Sequence, residues 1–198
     1  FIEQRFKALS WINGILAKLV RFEKMLEPLM VFLAVALGAY TGFLLSALKT
    51  YPMLNNPVLP VLFLFSGGSS GAAAAVLFGI VGFKQPVDSP SAHFVHQIEK
   101  PVVLFELFLL LALFVGLFFG GGQKEVAAIA AVGGGFWSNV FWFGVIGLGI
   151  LLPLIMGIVC SKSIQHSKGY IIAVSCMGLS GVLLLRFFIL YAGQMTVA

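Results

Sequence analysis

Apolar residues in this chain run in long unbroken blocks between short polar segments. Five blocks are long enough to cross, as helices, a hydrocarbon core about 30 Å thick. They extend from Pro28 to Thr50, Pro57 to Val81, Lys100 to Phe119, Phe136 to Cys160 and Gly169 to Ala192. Strands of a membrane barrel would instead alternate apolar and polar positions over about ten residues. The pattern therefore predicts an all-α fold, an integral membrane helical bundle of five transmembrane helices in which every backbone group pairs within its own segment. Pro28 and Pro57 are expected in first turns, where a missing N–H costs little. Pro60 and Pro153 lie further in and are expected to bend their helices.

Composition removes the alternatives. Of 198 residues, 60% are hydrophobic and 10% charged, with mean hydropathy +1.07. That excludes a water-soluble domain, and a disordered chain needs the opposite balance. Residues 28–198 thus form the transmembrane domain, preceded by a basic segment over residues 1–27. In that segment Phe6, Leu9, Ile12, Leu16, Leu19 and Leu26 interleave with Arg5, Lys7, Lys18, Arg21 and Lys24. It reads as an amphipathic helix on the membrane surface, or as the tail of a preceding span and its loop. The stretch Glu125 to Gly135 is too short to span and reads as interfacial or re-entrant.

Charge then sets the orientation. Arg5, Lys7, Lys18, Arg21, Lys24, Lys84, Lys100, Lys162 and Lys168 fall on one side, against Lys49 and Lys124 on the other. The positive-inside rule places the first side in the cytoplasm and the C-terminus outside, with Trp137 and Trp142 near the outer interface. The net charge of +5 lies in connecting segments, so it signals orientation and no nucleic-acid partner. Cys160 and Cys176 have neither metal-site nor disulfide-framework spacing. His93, His96 and His166 are expected in cytoplasmic loops, which leaves the spans no histidine ligand for a haem. HExxH, CxxC and P-loop motifs do not occur in the sequence.

Polar groups inside apolar helices are costly and point to function. In Gly38-Ala39-Tyr40-Thr41-Gly42 the two glycines share a face and permit close helix approach. Tyr40 lies about 18 Å along its span from the cytoplasmic end. A phenol there can bond a neighbouring helix, or a quinone oxygen while its ring packs on the headgroup. The string Ser66-Gly67-Gly68-Ser69-Ser70-Gly71 makes a thin helix, suited to tight packing or to a flat ligand. Glu106 lies about two turns into its span and can relay a proton. Arg186 either snorkels to the outer interface or offers a fixed positive charge to a quinone, an acidic group or a partner subunit. Counted by rise, Glu106 and Arg186 differ in depth by roughly 15 Å, which excludes a direct ion pair.

The strings GAYTGFLLSALKTYPMLNNPVLPVLFLFSGGSSGAA, AHFVHQIEKPVVLFELFLL, GGGFW and LLLRFFILYAGQMTVA closely resemble the NrfD/polysulfide-reductase family of membrane subunits. The resemblance extends from about Leu29 to Ala198. It implies a haem-free bundle of eight transmembrane helices, of which these five are the last, in agreement with the abrupt start at Phe1. It implies a bacterial inner membrane location and oxidation of menaquinol near the outer face. Electrons would pass to a ferredoxin-like iron–sulfur subunit, which holds the only clusters, and on to c-type cytochromes that reduce nitrite. This subunit would not itself act on nitrite.

Tyr40 matches the tyrosine of the family's YTG motif, so the resemblance implies a quinol site at Tyr40, Thr41, Gly42 and Ser66. Glu106 and Arg186 are the expected proton-transfer groups. The outer loop, through Lys49, Tyr51, Asn55 and Asn56, is the expected docking surface for the iron–sulfur subunit. Two other readings stay open. One is the quinone-reactive anchor of a polysulfide, thiosulfate or tetrathionate reductase. The other, of a different class, is a proton-translocating or transporter subunit.

Overall fold

A computed structural model describes residues 23–82, 90–165 and 167–195. Most of the basic segment, together with Lys84 and His166, lies outside the described residues. Among the described residues the chain is helical and has no strand. Its helices are α1 (Glu23–Ser46), α2 (Leu59–Val81), α3 (Pro90–Phe118), α4 (Gln123–Val132) and α5 (Phe136–Asn139). A π-helical segment, π1 (Val140–Leu151), follows, and then α6 (Leu152–Val159), α7 (Lys162–Gln165) and α8 (Lys168–Gln194). Five runs are long and apolar enough to cross a membrane: Lys24–Ser46, Leu59–Val81, Pro101–Phe118, Phe136–Val159 and Lys168–Gln194.

Contacts divide the protein into two units, residues 1–37 and 38–198. The first holds the beginning of α1, where Pro28 falls inside the helix and not in its first turn. The second holds the rest of α1 and every later helix. There Pro60 sits in the first turn of α2, so it starts that helix and does not bend it. His93 and His96, expected in a loop, belong to α3 ahead of its membrane-crossing stretch.

The core runs through α2, α3, π1 and α8. Leu59, Leu62, Leu110, Leu113, Leu117, Phe188 and Ile189 are buried in it. The rings of Phe114, Phe141 and Phe188 meet at centroid distances of 4.8 to 6.5 Å. The connection between α1 and α2 folds inward and adds Met53 and Leu54 to the same core. Gly121 and Gly122 turn the chain into α4 with φ of 64° and 56°, a region that favours glycine. Ten residues of α4 rise about 15 Å, half a hydrocarbon core, and Ala127, Ala128 and Ala131 are buried.

The fourth span departs from α geometry over twelve residues, where one turn of π-helix is the usual extent. The local chemistry accounts for where it stops. The N–H of Leu152 donates to the carbonyl of Gly147, five residues back, and the next residue, Pro153, has no N–H with which to continue. Pro153 stands in the first turn of α6. Glycines also let π1 approach α8 closely. A Cβ built on Gly149 would stand 2.7 Å from the Cα of Gly181, and one on Gly144 would stand 2.8 Å from the Leu184 side chain. Backbone therefore touches backbone where π1 crosses α8.

Candidate functional site

The seam between α1 and α2 decides where Tyr40 points. A Cβ on Gly42 would stand 2.8 Å from the carbonyl oxygen of Leu59, and one on Gly38 would meet Leu64 at 3.3 Å, so both glycines face α2. At about 100° per residue, Tyr40 lies some 200° from each of them, on the opposite face of α1. It is 59% exposed. The Thr41 hydroxyl donates to the Gly38 carbonyl at 3.0 Å. Ser66 is buried in α2 and donates to Phe63 at 3.3 Å. The four expected quinol ligands are thus not grouped around one space. Gly42 is a packing residue, Ser66 is enclosed by the bundle, and Tyr40 stands clear of the seam.

The expected docking loop is folded partly inward. Asn56 is 6% exposed, and both ends of its amide are engaged. Its Oδ1 accepts from the Val58 N–H at 3.0 Å and its Nδ2 donates to the Leu113 carbonyl at 3.4 Å. It fixes the start of α2 against α3. Tyr51 packs on the core and Asn55 is half-buried. Lys49 is exposed.

The interior polar groups converge on α2. Glu106 of α3 is 6% exposed and accepts from the Ser69 hydroxyl at 2.6 Å. Ser69 also lies 3.2 Å from the carbonyl of Ser66. From α8, the Arg186 guanidinium lies over the Phe63 ring, 5.3 Å from its centroid, a cation–π arrangement. One of its terminal nitrogens stands 3.5 Å from where a Cβ on Gly67 would be. Its Nε is buried without a hydrogen-bond partner.

Arg186 and Glu106 therefore meet α2 two residues apart, about 3 Å of rise, and not at the expected 15 Å difference in depth. One cause is visible. Helical side chains lean toward their own N-terminus, which carries the guanidinium back from its Cα toward the start of α8. The guanidinium lies against α2 and does not snorkel outward.

Beside Glu106 lies a cavity of about 30 Å³, with Ser69, Val145, Gly149, Ile150 and Leu185 in its walls. Four helical segments contribute to it. Ser69 belongs to the small-residue string that stands out in the sequence, yet only the structure selects it over Ser66 as the partner of Glu106. Gly149 and Gly181 carry no signal beyond a general glycine content. Among the described residues no cluster of three His, Cys, Asp or Glu side chains is placed to hold a metal ion.

Membrane-crossing helices with a carboxyl and a guanidinium held in their interior define a multi-pass integral membrane protein with polar groups in its core. The chain belongs to the NrfD polysulphide reductase family: the family model described as "Polysulphide reductase, NrfD" matches residues 1–198. It is 51% identical over 200 residues to Protein NrfD of Escherichia coli, covering 100% of this chain and 62% of that protein. It is 50% identical over 190 residues to the Protein NrfD homolog of Haemophilus influenzae, covering 96% of this chain and 59% of that protein. The C chain of the Wolinella succinogenes polysulfide reductase is 43% identical over 169 residues, 85% of this chain and 53% of that protein. The chain thus spans about three fifths of the length of the NrfD relatives. No solved structure matches it.

Proposed function

We propose that this chain belongs to the membrane subunit of a quinol-linked reductase complex in a bacterial inner membrane, with its C-terminus on the periplasmic side. The observation that supports the reading is Tyr40. Its phenol is exposed on a membrane-crossing helix whose opposite face is locked to α2 by Gly38 and Gly42. That open flank fits a flat headgroup, and menaquinol is the proposed substrate. The Tyr40 hydroxyl would hold a headgroup oxygen while the apolar flank of α1 receives the ring. Oxidation releases two electrons and two protons. The electrons would leave to a ferredoxin-like iron–sulfur subunit at the end of the bundle that presents Lys49, and from there to c-type cytochromes. Glu106 is the proposed proton-accepting group, and Arg186 a fixed positive charge held against α2 in the same interior.

Nitrite as the final acceptor is the proposal that follows from the family resemblance of the sequence strings, and the 51% identity to Protein NrfD is in keeping with that branch of the family. The 43% identity to the polysulfide reductase subunit supports a second reading, in which the same quinone-reactive subunit serves a polysulfide-type reductase. The test uses the full-length protein in its complex. Tyr40→Phe removes one hydrogen bond worth about 1 kcal/mol, so quinol oxidation should slow about fivefold with assembly unchanged. Unaltered quinol turnover would overturn the assignment of Tyr40.

A further inference from the structure

The cavity beside Glu106 borders a defect in the backbone ladder. Leu152 donates to Gly147 in the i→i−5 register, and Pro153 donates nothing. The carbonyl that Pro153 would have reached, Leu148 in that register or Gly149 in the α register, loses its ladder donor. In hydrocarbon such a group must find another partner. Gly149 and Ile150, next to the break, line the cavity, and Glu106 and Ser69 line it from the other side. At about 30 Å³ the space exceeds the 10–15 Å³ of probe-occupied volume that one water needs. It offers a carboxyl and a hydroxyl, and it borders the backbone that Pro153 leaves without a ladder donor.

We propose that this cavity is an internal hydration site, in which water bridges the Glu106–Ser69 pair to the carbonyl beside Pro153 and gives Glu106 a route for proton exchange. The Ser69 hydroxyl has one hydrogen and two acceptors within reach, Oε1 of Glu106 at 2.6 Å and the Ser66 carbonyl at 3.2 Å. With Glu106 ionised, Ser69 donates to Oε1. With Glu106 protonated, the acid donates to Ser69, which turns its hydrogen to Ser66. At this contact, rotation of the Ser69 hydroxyl serves both forms. The exchange balances as carboxylate and hydronium giving carboxylic acid and water. Of the elements around the cavity, α2 and π1 bring no charged or titratable side chain, α3 brings Glu106 itself within its membrane-crossing stretch, and α8 brings Arg186 to α2. The inference does not depend on the quinol reading, since neither readout below involves turnover.

Hydroxyl-radical footprinting of the full-length protein in its complex tests the water. Leu110 and Leu185 line the cavity and are 2% and 4% exposed, while Leu59, Leu62 and Leu113 are 0% exposed and do not line it, as Leu109, 6% exposed, does not either. Leu110 and Leu185 should be oxidised several-fold more than those controls. Gly178→Val fills the cavity from a position where an added Cβ meets nothing within 4 Å, and should lower their labelling to the level of the controls. Ala73→Leu, from another wall, should do the same. Equal labelling of both leucine sets, or labelling unchanged in both filled variants, would overturn the hydration site. Infrared spectra test the exchange. The carboxyl signal that disappears in Glu106→Gln should interconvert with a carboxylate signal as bulk pH is stepped. A signal that stays fixed throughout the pH range in which the protein remains folded would overturn the proton route.

Discussion

At the scale of single residues, glycine matters most where helices touch. Gly181 has the Cα of Gly149 against it, so the methyl group of Gly181→Ala must push two backbones apart. Overpacking of this kind costs about 1–3 kcal/mol. The variant should unfold at a lower temperature in detergent, whereas Gly178→Ala, in open space one turn earlier on α8, should leave the midpoint where it was. A seam equally tolerant of both would contradict the close crossing. The glycines of α1 are legible in the sequence because they flank a tyrosine in a short motif. Gly149 and Gly181 are not, because a contact between residues thirty-two apart leaves no local pattern. Asn56 shows the converse: a polar residue in a loop reads as exposed until its two amide ends are seen to be engaged in the interior.

At the scale of elements, hydropathy locates all five membrane-crossing runs, because burying twenty apolar residues in lipid depends on length and composition alone. It does not show how those residues wind. An α-helix and a π-helix bury the same side chains, and only the glycines and Pro153 hint that the fourth span differs. The register can be checked with two cysteines. A Cβ on Gly144 lies 3.7 Å from the side chain of Leu184 at its Cβ, inside the 3.5–4.5 Å range that disulfides require. Gly144→Cys combined with Leu184→Cys should therefore form an intramolecular bridge on mild oxidation, detectable by mass spectrometry. Winding the span as α-helix would turn residue 144 off this register, so failure to bridge would refute the π assignment. The polar residues of the site are legible one at a time, since Glu106 and Arg186 stand out in apolar runs. Their convergence on α2 is not, because the packing of α3 and α8 against α2 and the lean of their side chains are tertiary facts.

At the scale of the molecule, Lys49 and Lys168 lie at opposite ends of the bundle. Leu54, in the loop with Lys49, packs on Gly193 near the far end of α8, about 40 Å from Lys168 by helical rise. By helix order Lys100 and Lys162 fall at the Lys168 end, so by the positive-inside rule that end should face the cytoplasm. In whole cells, a membrane-impermeant maleimide that has crossed the outer membrane should label Lys49→Cys of the full-length protein and spare Lys168→Cys. The reverse pattern would invert the orientation. The inward fold of the loop beside Lys49 has one more consequence. Met53 and Leu54 join Leu59, Leu113 and Leu117 as an apolar stopper with almost no accessible surface. Among the described residues this closes that end of the bundle with side chains that offer water no partner. A charge entering the bundle from that end would have to shed its hydration before it met a polar group.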